Sequence, residues 1–330
     1  MSGLLIAATF ILSLCALASH TLSRRHHAMQ RMIILGGMVT TLMLPLAGKL
    51  TECVDIKGIV PMHAFAPAKS VNTGADAHTL LFFAWLAGMS LMSIRLGWHA
   101  WLVRGIAARS RSLNTKEIAV VSSELSVLDA NQTSRFRLSD EIETPMVIAG
   151  ARQLVLLPAG WLQWSSRLRA SSLRHEWQHV QSADAQWGVL VALFRVVLWF
   201  HPLAWWVSAR WSEECEHLAD LAAASAGDSA DYARDLLSLA GESHVPALEL
   251  AAAFAPRSPS RLERRVRAVL EDAGHRLPCG RFAIAVVLSA FAAAAALISA
   301  LSNSPAMPRG AQHHAEAKAR LEATPFPADR

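Results

Sequence analysis

The segment Ser171-Ser172-Leu173-Arg174-His175-Glu176-Trp177-Gln178-His179-Val180-Gln181 decides how the rest of the chain is read. It has the composition of a helix, with Ser171 or Ser172 as the predicted N-cap and an end near Asp184. His175 and His179 are four residues apart and share one helical face, so both imidazoles reach a single cation. Glu176 follows the first histidine and can accept a proton from a metal-bound water. Two incidental histidines on a surface helix are the plainer alternative, and a third ligand separates the two. A histidine-only site of the extended kind needs Gly and His three and six positions after His179. Ser182 and Ala185 stand there, which excludes it. A carboxylate from the helix predicted over 204–224 remains, with Glu213, Glu214, Glu216 and Asp220 as candidates. Glu216 and Asp220 are four apart, so one can ligate while the other orients a histidine. Glu213 is their rival, Glu214 reads as a solvated face, and His217, about 100° around the helix, reads as structural.

The chain has 330 residues, 53% hydrophobic and 17% charged. Soluble domains carry about 25% charged residues, so part of this chain is expected to face lipid. Runs 4–19, 32–46, 79–103 and 282–301 read as spanning helices, the first reaching adequate length if extended to Leu22. No basic residue precedes the first run and Arg24 and Arg25 follow it, the reverse of a signal peptide. Arg24, Arg25 and Arg31, then Arg104, Arg109, Arg111 and Lys116, then the arginines between Arg257 and Arg281, all fall on one side if the N-terminus is outside. That sidedness accounts for most of the net charge of +5 and leaves no need for nucleic-acid binding. Cys15, Cys53, Cys215 and Cys279 form no CxxC pair, which excludes a cysteine-built zinc ribbon or a disulfide scaffold.

The expected organisation is three membrane helices in 1–103 with an external loop 49–78, a cytoplasmic domain 104–281, a fourth membrane helix 282–301 and an external polar tail 302–330. Within the domain, 117–121, 145–149 and 153–157 are predicted strands, with helices over 204–224 and 260–270. Hydropathy alone makes 187–207 another span. A crossing would put the histidines and Glu216 about 30 Å apart, whereas zinc bonds are about 2.0–2.2 Å. Arg195 in mid-segment would add about 2.5–3.5 kcal/mol. The segment is therefore read as lying against the membrane, broken near His201-Pro202. His201 is read either as an oxyanion donor or as a helix-end histidine and stays outside the catalytic set; Arg95 and His99 are polar groups at lipid depth.

Further stretches carry a family resemblance: Glu143-Thr-Pro-Met-Val-Ile-Ala-Gly150, Leu154-Val-Leu-Leu-Pro158, the histidine motif with Asp184, Leu198-Trp-Phe-His-Pro202 and Glu216-His-Leu-Ala-Asp220. With the arginine-rich 261–270 and the four apolar runs, the chain resembles the BlaR/MecR-type membrane zinc metallopeptidases, antirepressor proteases of beta-lactam sensing. The resemblance implies a mostly α membrane protein with four transmembrane helices and a cytoplasmic α/β zinc-metallopeptidase domain containing a small sheet. It implies Zn²⁺ held by His175, His179 and Glu216, Glu176 as base and Asp220 as the orienting carboxylate. The implied activity is endopeptidase cleavage at the inner face of a bacterial-type cell membrane, the substrate a cytoplasmic repressor or the protein itself, paired in extended form with 153–157. The alternative is a non-catalytic membrane signalling or scaffold protein with a structural zinc. Ala219 and His201 replace the family's usual cysteine and asparagine, and the residues after 301 are too few for a penicillin-binding sensor domain.

Overall fold

The computed structural model describes residues 2–21, 27–53, 77–125, 128–225, 227–242 and 259–271. Three long helices open the chain: α1 (Ser2–Thr21), α2 (His27–Cys53) and α3 (Ala77–Arg109). Two stretches are long and apolar enough to cross a membrane, His27–Pro45 and Thr79–Arg109, while Leu5–Thr21 is apolar but shorter. The expectation of four spans is thus met at two positions among the described residues; 282–301, the tail and most of the 49–78 loop lie outside them. On α3, Leu80, Leu81, Phe83, Leu91, Ile94, Trp98 and Trp101 are exposed, a surface suited to lipid. At 33 residues α3 is roughly 50 Å long, more than a bilayer core needs. Its far end runs directly into the first strand.

That strand, β1 (Arg111–Ser112), belongs to a four-stranded sheet with β2 (Phe136–Ser139), β3 (Met146–Ile148) and β4 (Leu154–Pro158), in the order β1-β2-β4-β3. β2 and β4 run parallel, with Phe136 opposite Val155, and the outer pairs are antiparallel. Alternation splits the side chains between two faces. Phe136, Leu138, Val155 and Leu157 face Leu173, Trp177 and Val180 of α6 (Ser166–Gln181), and Leu156 and Ile148 face Ile106 of α3 and Ile142. The short helix α5 (Ala130–Thr133) precedes β2.

Three sequence expectations change here. Residues 117–121 are helical, inside α4 (Thr115–Glu124). The Asn114 side chain accepts from the Glu117 N–H and Glu117 accepts in return from the Asn114 N–H, so a capping box overrides the β-branched composition. The histidine helix begins earlier than expected, capped by Ser165, and Ser171 and Ser172 are buried in its interior. Strand 153–157 is paired on both sides, by β2 and β3, so it offers no free edge to a peptide.

The apolar segment 187–207 is divided between α7 (Asp184–Val197) and α8 (Pro202–Ala224). The break falls at His201-Pro202, where proline occupies the first helical position and its missing N–H costs nothing. Val191, Phe194, Leu198, Ala204, Val207 and Trp211 pack with Leu12 of α1 and Ile34, Leu35 and Met38 of α2. Arg195 is buried with its guanidinium carbon 3.9 Å from the Trp205 ring centroid. α3 docks on the same corner at Gly88, where a Cβ would stand 2.2 Å from the Trp199 ring. The Trp85 indole donates to the Val197 carbonyl and the Trp199 indole to the Trp85 carbonyl. Helices α9 (Ser229–Glu242) and α10 (Pro259–Glu271) cover the far end of α8, with Tyr232, Leu236 and Val269 packed on Ala223 and Ala224.

Between α6 and α7, Ala183 has φ 55°, a left-handed conformation that a β-carbon disfavours. Ala183→Gly is expected to stabilise the fold by about 1 kcal/mol, read as a raised thermal midpoint with unchanged metal content.

Candidate metal centre

α6 carries His175 and His179 one turn apart, and α8 packs across it, bringing Glu216 to both. The Nε2 atoms of the histidines are 3.3 Å apart, and each stands 3.8 Å from an oxygen of Glu216. Three donors on bonds of about 2.0–2.1 Å in a tetrahedral arrangement would be about 3.3–3.4 Å from one another. The set fits zinc with small adjustment, and it is the one group of this kind among the described residues.

The far nitrogen of each imidazole is held. His179 Nδ1 lies 2.8 Å from Asp184 Oδ2 at the start of α7. His175 Nδ1 lies 3.2 Å from both Asp220 Oδ1 and the Tyr232 hydroxyl. With protons on Nδ1, both Nε2 lone pairs are presented to the common point. Asp220 is fully buried (0% exposed) yet well partnered. It accepts from Tyr232 at 2.8 Å and from Arg265 of α10 at 2.7 and 2.9 Å. Arg265 also reaches Glu216 at 2.9 Å.

The electrostatics follow from these contacts. Burial raises the Glu176 carboxyl above its ordinary range, although both imidazoles pull the other way. For Glu216 and Asp220 burial also favours the neutral acid, but Arg265 and the histidines outweigh it and hold both low. Burial alone would lower His179. The hydrogen bond to Asp184 and the charges of Glu216 and Glu176 prevail and push it up to about 9. The proton it then carries is one that an incoming cation displaces. Burial and Asp220 keep the Tyr232 phenol protonated, as a donor to that carboxylate.

The remaining candidates lie elsewhere. Glu213 pairs with Arg210 and Arg264 at 3.3 and 2.7 Å. Glu214, expected on a solvated face, is buried and bound by Arg210 and His27, each at 2.7 Å. His217 is buried with its ring 3.8 Å from that of His27. His201 caps α8, its Nε2 3.0 Å from Thr9 of α1. Fifteen residues separate it from Glu216 on one helix, about 22 Å of rise, which removes it from the site as an oxyanion donor. Tyr232, Arg265 and Arg31, which touches Asp184, were not legible as site residues. The signal available for Tyr232 is that it is the sole tyrosine, and for Arg265 that it lies in the arginine-rich run.

Comparison with known proteins bears on the same residues. Over 143 residues the chain is 24% identical to the regulatory protein BlaR1 of Bacillus licheniformis, covering 43% of this chain and 24% of that protein's length. The family model described as BlaR1 peptidase M56 matches residues 10–269, which take in α2, α3, the sheet and all the residues of the metal centre. The chain belongs to the BlaR1-type M56 peptidase family.

Proposed function

We propose that this chain is a zinc-dependent endopeptidase working at the cytoplasmic face of a cell membrane in regulatory signalling. The observation that carries the reading is the convergence of two imidazoles and a carboxylate, each imidazole backed by its own carboxylate, around the helix that bears Glu176. His175, His179 and Glu216 would hold the zinc, which when bound polarises a carbonyl and acidifies a water. Glu176 accepts the proton of the attacking water and delivers it to the leaving amine. Its burial supports that role, since a raised carboxyl pKa makes it both a better base and a usable acid. Asp184, Asp220 and Tyr232 fix the imidazoles, and Arg265 fixes Glu216 and Asp220. The Glu216 side chain retains 37% exposure, which leaves access for substrate and argues against a closed structural site.

The substrate is a polypeptide: a cytoplasmic repressor or the protein itself. With 153–157 paired on both sides, an extended peptide would add instead at β3, the sheet's end strand on the side that touches α6.

The cytoplasmic placement rests on the basic residues and on the break at His201-Pro202, which lets α7 and α8 return to one face. Reporter fusions after Thr115 and Asp228 are expected to give cytoplasmic signals, and fusions after Ala68 and Gln312 external ones. Opposite signals from Thr115 and Asp228 would contradict the topology. The chemistry is tested by proteolysis of a candidate repressor with the purified, zinc-loaded full chain.

A further inference from the structure

Arg31 looks in the sequence like one of several basic residues that mark membrane sidedness. A marker of that kind faces water. Arg31 is instead only 3% exposed, one turn inside α2 and within the stretch His27–Pro45 that is apolar enough to span. A buried guanidinium costs several kcal/mol unless its donors are satisfied. Here one terminal nitrogen pairs with Asp184 Oδ1 at 2.7 Å and donates to the Ser182 carbonyl at 2.8 Å. The buried Nε has no hydrogen-bond partner among the described residues, so the ion pair carries most of the compensation. The other oxygen of Asp184 is the one 2.8 Å from His179 Nδ1. Between the two groups that Arg31 holds lies Ala183, the left-handed residue of the α6–α7 turn.

We propose that Arg31 is a positioning residue of the metal centre, acting on His179 through Asp184, so that the seating of α2 sets the site's affinity for metal. The inference rests on the zinc reading above. Without the guanidinium, the Asp184 carboxylate loses its ion pair at Oδ1 and turns toward water. It thereby loosens its hold on Nδ1, and the His179 ring no longer keeps Nε2 on the common point. His27, four residues before Arg31 and so on the same face of α2, binds Glu214 at 2.7 Å, two positions from Glu216. One face of α2 therefore touches the turn behind His179 and the helix that carries Glu216, and a shift of α2 would move both.

The test uses the full-length protein in detergent with zinc alone as probe, its dissociation constant measured by competition with a chromogenic chelator. Arg31→Gln is expected to weaken zinc binding about tenfold, the lower end of what loss of an orienting partner costs, and Arg31→Lys to recover most of it. In an Asp184→Asn background, adding Arg31→Gln is expected to change nothing, because the arginine acts through that carboxylate. Wild-type affinity in Arg31→Gln, or a further loss in the double variant, overturns the proposal. Should Arg31→Gln alone fail to fold, the double variant decides against Asp184→Asn, since that background has no buried anion to strand. A wild-type protein that binds no zinc overturns the metal reading and this one with it; zinc binding indifferent to Arg31 overturns this one alone.

Discussion

Glu176→Gln is expected to hold zinc with unchanged affinity and to cleave a repressor substrate about 10²–10⁴ times more slowly, the usual worth of a general base. Glutamine keeps the length and polarity of the side chain but accepts no proton at neutral pH. It therefore removes the proton transfer and leaves the donors of His175, His179 and Glu216 where they are. Metal analysis of the same preparation separates the two effects. Full activity with one zinc per chain would remove Glu176 from the mechanism. Loss of zinc together with activity would make it a structural support of the site.

Glu216→Ala is expected to lower zinc affinity by more than about 100-fold, beyond the 10–100-fold that follows loss of a residue that only orients a ligand. Asp220→Ala belongs in that smaller range: it frees His175 Nδ1 and strands Arg265 but removes no donor. Glu213→Ala is expected to leave zinc in place, because its carboxylate is engaged by Arg210 and Arg264 on another side of α8. Chelator competition on the three variants, with circular dichroism to check folding, gives the ranking. Zinc lost from Glu213→Ala and retained by Glu216→Ala would reverse the assignment on this helix.

What could be read from the sequence was local in the chain or fixed by one geometric constraint. The four-residue spacing of His175 and His179 needs only helical periodicity. The expectation that 187–207 does not cross a membrane came from requiring one ion to be shared; the structure divides that segment at His201-Pro202, where the proline suggested a break. The strands at 145–149 and 153–157 showed in their β-branched composition and the intervening Gly150. The misread helix at 117–121 shows a weaker signal preferred over a stronger one, since Asn114-x-x-Glu117 is a capping pattern written in the sequence. Glu214 was misplaced because its burial depends on His27, 187 residues away. Asp184's tie to Arg31, and those of Tyr232 and Arg265 to Asp220, are of the same kind. No period or spacing links those positions, so only the packing of α2, α9 and α10 on α6 and α8 reveals them.

The bond from Arg265 to Asp220 and Glu216 has a consequence for biosynthesis. α10 is made after every donor of the metal centre, and domains form progressively as the chain emerges. A nascent chain that has passed Glu216 possesses all three donors, yet Asp220 still lacks the cation that makes its burial tolerable and His175 lacks a settled carboxylate behind it. The order of translation thus leaves the His175–His179–Glu216 cluster without its supporting cation until residues beyond 259 are folded on α8. A chain that stops short of α10 lacks the guanidinium that pairs with Asp220 and Glu216, so its centre is incomplete.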